Sequence, residues 1–197
     1  MANGENLKTI FLSASIPLEE RNAKYFETAD VIAIRDAVRA LATVVIPRSI
    51  LVWGGHPAIT PLIRYVMGRM NSTLKDHVTL YQSNFFAAQF PEDNFAFENI
   101  TLIPTTGERE SSLRDMRTRM INDHDYAAGI FIGGMEGVED EFSVFRDVHP
   151  NALLLPVAST GAAAKFIYDS LDPKPDKRLA DDYAYMSMFK ETLKDVI

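Results

Sequence analysis

The sequence predicts an α/β fold of the doubly wound kind, a mostly parallel sheet with helices on both faces. Three observations carry this. Short β-type runs alternate with amphipathic stretches along the whole chain, two of those runs end in Gly-Gly pairs, and 197 residues with 47% hydrophobic content suffice for one sizeable core. Strands separated by helix-length segments need crossover connections, so they pair in parallel and are covered on both sides.

The elements follow in order. Leu7–Ser15 is an apolar run that closes in small residues, the first strand. Asp30 is placed to cap a helix that runs to Ile46, with Val31, Ile34, Val38 and Leu41 on one face, and Pro47 ends it. Ile50–Trp53 is the second strand. Ala58–Met70 reads as helical, with Pro61 confining regular helix to the residues after it. Val78–Gln82 and Ile100–Pro104 are strands, separated by an aromatic-rich segment, Phe85 to Phe97, that receives no element. Glu108–Asn122 is a helix with a basic side, Ala127–Ile132 a strand, Glu136–Val148 a helix, Leu153–Ala158 a strand and Gly161–Leu171 a helix. Asp172-Pro173-Lys174-Pro175-Asp176-Lys177 reads as a linker. Asp181–Val196 is a terminal helix whose Tyr183, Met186, Phe189 and Leu193 can pack on the body or on a second subunit.

Composition narrows the function. A formal charge of −7 and a pI near 5.1 exclude a general nucleic-acid surface, which needs a basic stripe to displace counterions, but they leave room for one small anion held locally. The absence of cysteine removes disulfides, thiolate chemistry and cysteine-ligated metals. The four histidines, His56, His77, His124 and His149, have no paired spacing, so no metal site is expected. Met1 to Asn6 lack the basic-then-apolar layout of a signal peptide, and no apolar run approaches the roughly 18 residues of a membrane span. A soluble, cytoplasmic protein is expected.

In a Rossmann-like sheet, ligands sit beyond the carboxyl ends of the strands, near the point where strand order reverses. The polar clusters fall at such ends: Ser13-Ala14-Ser15, Gly54-Gly55-His56, the stretch Gly133-Gly134-Met135-Glu136-Gly137 with Glu141 beyond it, and Ser159-Thr160. A strand that stops at Gly133-Gly134 and turns into a helix offers backbone N–H groups to a phosphate; the plainer alternative is that such glycines only permit a tight turn. Glu141 lies one turn into the helix, where a carboxylate suits a ribose hydroxyl, whereas Glu139 and Asp140 fit simple stabilisation of the helix start. Arg109, Arg114, Arg117 and Arg119 offer cations from one helical segment, with Arg114 and Arg117 sharing a face; the plainer alternative for any one of them is a solvated basic face. His56 can donate to a phosphate or stack on a base, or, in the plainer reading, is a turn residue held by Pro57; Trp53 belongs in the core. There is no spaced-glycine dinucleotide fingerprint, no Walker lysine and no Gly-X-Ser-X-Gly elbow.

These motifs, Phe11-Leu12-Ser13-Ala14-Ser15, Leu51-Val52-Trp53-Gly54-Gly55-His56, Met116-Arg117 and Ile132 through Phe142, resemble the SLOG superfamily from about Leu7 to Leu171. That group includes the LONELY GUY phosphoribohydrolases, proteins once described as lysine decarboxylases, and the ligand-sensing SLOG domains of Thoeris antiphage effectors and TRPM channels. The hydrolases carry a Pro-Gly-Gly-X-Gly-Thr-X-X-Glu signature. The resemblance implies that Glu141 takes the place of their glutamate and Arg117 that of an upstream arginine. Ile132 stands where the proline would be, Val138 where the threonine would be, and Glu136 is an added residue between the glycines. A lost hydroxyl matters more to catalysis than to binding, so the resemblance points to the sensor branch. It implies recognition of an ADP-ribose-like, NAD-derived signal of the antiphage type, with a nucleoside 5′-monophosphate phosphoribohydrolase, releasing free base through Glu141 and Arg117, as the alternative. A nucleotide-binding domain over 1–172 is expected, with 173–197 as linker and C-terminal helix. No separate cofactor is expected. A homodimer or higher homo-oligomer is, and a sensor would act through an effector protein.

Overall fold

The computed structural model describes residues 7–70 and 72–197. The first six residues, read above for a signal peptide, lie outside them. The chain runs β1 (Thr9–Ser15), α1 (Ala23–Phe26), α2 (Val31–Val45), β2 (Ile50–Trp53), α3 (Thr60–Met67), β3 (Val78–Ser83), β4 (Ile100–Ile103), α4 (Arg109–Asn122), β5 (Tyr126–Gly133), α5 (Glu136–Val148), β6 (Leu153–Val157), α6 (Ala162–Ser170), α7 (Arg178–Asp181) and α8 (Tyr185–Thr192). The aromatic-rich segment forms two 3₁₀ turns, Asn84–Gln89 and Glu92–Ala96.

Local chemistry sets these boundaries. Asp30 caps α2 by accepting the Ala33 N–H at 2.9 Å, and Pro61 falls in the first turn of α3, where no N–H is needed. α1, not foreseen from sequence, is capped by Asn22, whose side chain accepts the Lys24 N–H at 3.1 Å. The expected terminal helix starts later than Asp181 because Asp182 binds the Ala184 N–H at 2.7 Å and turns the chain before α8.

All six strands are parallel in the order β4-β3-β2-β1-β5-β6. The chain winds outward from β1 to β4, then returns to lay β5 on the other side of β1, with Leu12 beside Ile130 and Ser15 beside Gly133. The switch point is therefore the β1/β5 crevice.

Strand alternation divides β1 between two cores. Ile10 and Leu12 join α2, α3 and α8 through Ile34, Leu41, Ile63 and Phe189. Phe11 faces the opposite layer, with Met116 and Met120 of α4 and Phe142 and Phe145 of α5. Of the residues offered by the C-terminal segment, Phe189 and Leu193 are fully buried on the body, while Tyr183 and Met186 remain exposed; Val31, expected on the inner face of α2, is exposed as well.

Phe145 organises the second core. Its ring stacks on Phe11 at 5.0 Å and meets Phe131 at 6.0 Å and Tyr126 at 5.5 Å. Gly129 makes room for it, since a Cβ there would come within 2.6 Å of the ring. Phe145→Ala should cost about 3–5 kcal/mol of stability, read from denaturant unfolding. A loss below about 1 kcal/mol would contradict this packing.

Candidate functional site

A cleft of about 710 Å³ opens at the carboxyl ends of β1, β2 and β5. Its floor is the end of β1, Ser13, Ala14 and Ser15, with Gly54, Gly55 and His56 after β2 on one side. The opposite wall is the first turns of α5, with Met135, Glu136, Gly137 and Glu141, and the rim is α4, with Arg109, Arg114 and Arg117. Three of the four sequence clusters thus meet in one cleft.

At its centre Glu141 is held on both oxygens. The Ser13 hydroxyl donates to Oε2 at 2.6 Å and the Arg117 Nε–H to Oε1 at 3.1 Å. Burial pushes the Glu141 carboxyl above its ordinary range, and the Arg117 charge and the Ser13 hydroxyl oppose that shift. Arg117 also lies 3.6 Å from Asp140. Gly137 gives its guanidinium a seat, since a Cβ at that position would come within 2.3 Å of Nη2. The result is an acceptor with fixed orientation on the wall of the cleft, suited to a ribose hydroxyl or to developing positive charge.

His56 is neutral at pH 7. Burial, then the nearby Arg21 charge, lower its pKa from 6.5 to about 4. Its Nδ1 accepts the Ala58 N–H at 3.1 Å, so the proton sits on Nε2 and His56 is a donor. Glu136 is held by the Asn22 amide at 2.7 Å; burial works against its charge, but that hydrogen bond, its own backbone N–H and the Arg21 and Lys24 charges leave its pKa lowered.

Four sequence-predicted residues do not face the cleft. The Gly133 N–H donates to Thr160 Oγ1 and the Gly134 N–H to the Ser15 carbonyl, each at 2.9 Å, so neither is free for a phosphate. Both glycines have positive φ, 56° and 89°, and a Cβ would strike Ile34 at 2.5 Å and Val138 at 2.3 Å respectively, so the turn itself requires them. Thr160 is buried and also donates to the Val157 carbonyl, and Ser159 is hydrogen-bonded to the Tyr185 hydroxyl at 3.1 Å. The loop after β6 locks the sheet edge.

The cations divide in the same way. Arg117 is neutralised by Glu141 and Asp140, and Arg119 turns outward to Asp123 at 3.2 Å. Arg21, Arg109 and Arg114 line the cleft and form no ion pair among the described residues. Sequence reading missed Arg21, which comes from the β1–α1 connection and carries no motif.

The fold and the cleft together define an α/β protein of Rossmann-like build with a site at the switch point lined by both arginines and carboxylates. The chain belongs to the SLOG cluster3 family, whose model matches residues 24–193, and this bears out the resemblance carried by the motifs. In fold it is similar to TM1055, an X-ray structure of a Northeast Structural Genomics Consortium target. That likeness has a TM-score of 0.55 at 12% identity and covers 94% of this chain and 99% of that one. No curated protein matches the chain. Family membership supports a nucleotide-related function in general terms. No helix among the described residues is long and apolar enough to cross a membrane.

The half-buried, neutral imidazole has a pH signature. Because the folded pKa of His56 lies below the unfolded value, the unfolded chain binds the extra proton first, and stability falls as pH drops from about 6.5 towards 4. His56→Gln should remove part of that fall in melts compared between neutral and mildly acidic pH. An unchanged pH slope would show that His56 is not held neutral.

Proposed function

We propose that this chain binds an ADP-ribose-like, NAD-derived nucleotide as a signal, of the kind used in antiphage defence, at the carboxyl edge of its sheet. One observation carries the reading: Arg21, Arg109 and Arg114 line the cleft with no carboxylate within ion-pair distance among the described residues, although Glu110 and Glu136 share the lining, while Arg117 is already neutralised. Guanidinium groups outside ion pairs suit a ligand with a pyrophosphate, which they can grip through bidentate hydrogen bonds. The neutral His56 adds a donor, and Glu141 offers an acceptor for a ribose hydroxyl. The cleft volume of about 710 Å³ leaves room for both a base and a second ribose. A signal-binding protein of this kind would act through an effector partner.

A second reading rests on a different observation. Glu141 and Arg117, the pair that a phosphoribohydrolase of the LONELY GUY type would use, meet at 3.1 Å. In that role Glu141 would stabilise positive charge developing on the ribose as the base departs. Val138 is buried where the hydrolase signature has a threonine hydroxyl, which favours binding over turnover.

The two readings part in one experiment. ADP-ribose should raise the melting temperature of the wild type in proportion to the logarithm of its concentration and stay intact on long incubation. The double variant Arg21→Ala, Arg114→Ala should lose about 1.5–3 kcal/mol of affinity for each charged hydrogen bond removed. Release of free base from AMP by wild type, abolished in Glu141→Gln, would establish the hydrolase instead.

A further inference from the structure

A long helix that starts at a ligand cleft ordinarily draws anions, because its first N–H groups are unpaired and its dipole adds positive potential. The start of α5 is already supplied with one. Its 13 residues open on Glu136, which lines the cleft and whose carboxylate accepts its own backbone N–H. The two amides before this turn, those of Gly133 and Gly134, are taken by Thr160 and Ser15. A phosphate approaching the start of α5 meets a carboxylate first.

A neutral group holds Glu136 in place. The Asn22 side-chain oxygen caps α1 by accepting the Lys24 N–H at 3.1 Å, and its Nδ2 donates to Glu136 Oε1 at 2.7 Å. An amide orients a carboxylate without cancelling its charge. Arg21 and Lys24 favour the ionised form from a distance, and neither comes within ion-pair range of it among the described residues.

This residue completes a polarity across the cleft. The charged groups that α5 gives to the lining are Glu136, Asp140 and Glu141, all carboxylates, whereas α4 gives Arg109, Arg114 and Arg117 against Glu110. A ligand with a pyrophosphate is drawn to the α4 side and turns a hydroxyl-bearing end to α5. Carboxylates suit a ribose diol, since their oxygens accept from its hydroxyls, and they repel a phosphate attached to that diol. Refusal of the wrong ligand is as much a source of specificity as contact with the right one.

We propose that Glu136 sets the specificity of the cleft by excluding phosphate from the α5 side, so that the ligand is a nucleoside diphosphate sugar whose ribose on that side carries free hydroxyls. The proposal rests on the ADP-ribose-like reading above and adds which members of that class are refused.

Isothermal titration calorimetry of the full chain tests it with three probes: ADP-ribose, its 2′-phosphate and its 1″-phosphate, which load one ribose or the other. Wild type should bind at least one phosphorylated form about tenfold or more weakly than ADP-ribose, the effect of like charges brought within a few ångströms near a protein surface. Glu136→Gln keeps the shape of the side chain and removes its charge, and should reduce that ratio to about threefold or less. Glu136→Lys should reverse it and favour the phosphorylated form. Glu136 is exposed, so both variants should melt as cooperatively as wild type. Failure of wild type to bind ADP-ribose would remove the nucleotide reading and this proposal with it. Binding of ADP-ribose with both phosphorylated forms within about threefold of it, or a ratio that Glu136→Gln leaves unchanged, would overturn this proposal alone.

Discussion

Glu141 is the fixed point of this structure. A serine from β1 and an arginine from α4 hold its two oxygens, so one carboxylate from α5 ties three elements together across the crevice where strand order reverses. A partly buried ion pair of this kind contributes little net stability compared with a well-packed apolar group, because desolvation offsets most of the attraction. Its effect is geometric. It sets α4 against α5, seats the Arg117 guanidinium over Gly137, and commits one of the arginines of α4 to protein rather than ligand.

That commitment explains the electrostatics of the cleft. The chain is acidic, and the start of α5 adds Glu136, Glu139 and Asp140 to the wall region. Each of these has its own partner: Glu136 takes the Asn22 amide, Glu139 the Tyr25 hydroxyl, and Asp140 lies near Arg117. The lining then holds Arg21, Arg109 and Arg114 beside Glu110, so arginines and carboxylates alternate along an edge of a molecule that is acidic overall. His56, held neutral by burial, adds a donor without adding charge.

Much of the fold was legible in the sequence because its signals are local. Asp30 marks the start of α2, Pro61 the start of α3, and the β-type runs sit where strands form. α1 was missed because four residues give no periodicity, and the end of the chain was misread as one helix because the Asp182 turn leaves little mark on the hydrophobic pattern. The cleft was legible as a place, since βα corners of a parallel sheet gather at one edge. The roles within it were only partly so. Gly133 and Gly134 look like a phosphate cradle in one dimension, but the N–H groups they expose are taken by Thr160 and Ser15, partners that only the tertiary fold brings near. The same applies to Arg117, whose neutralisation depends on α4 lying beside α5, and to Arg21, which reaches the cleft from a connection without any motif.

The most direct test of this arrangement is the crystal structure of the chain with ADP-ribose bound. We expect the pyrophosphate within hydrogen-bond distance of Arg21, Arg109 or Arg114 and a ribose hydroxyl on Glu141, with Gly133 and Gly134 still bonded to Thr160 and Ser15. A pyrophosphate seated on the Gly133 and Gly134 amides, or a ligand bound away from the β1/β5 edge, would contradict it.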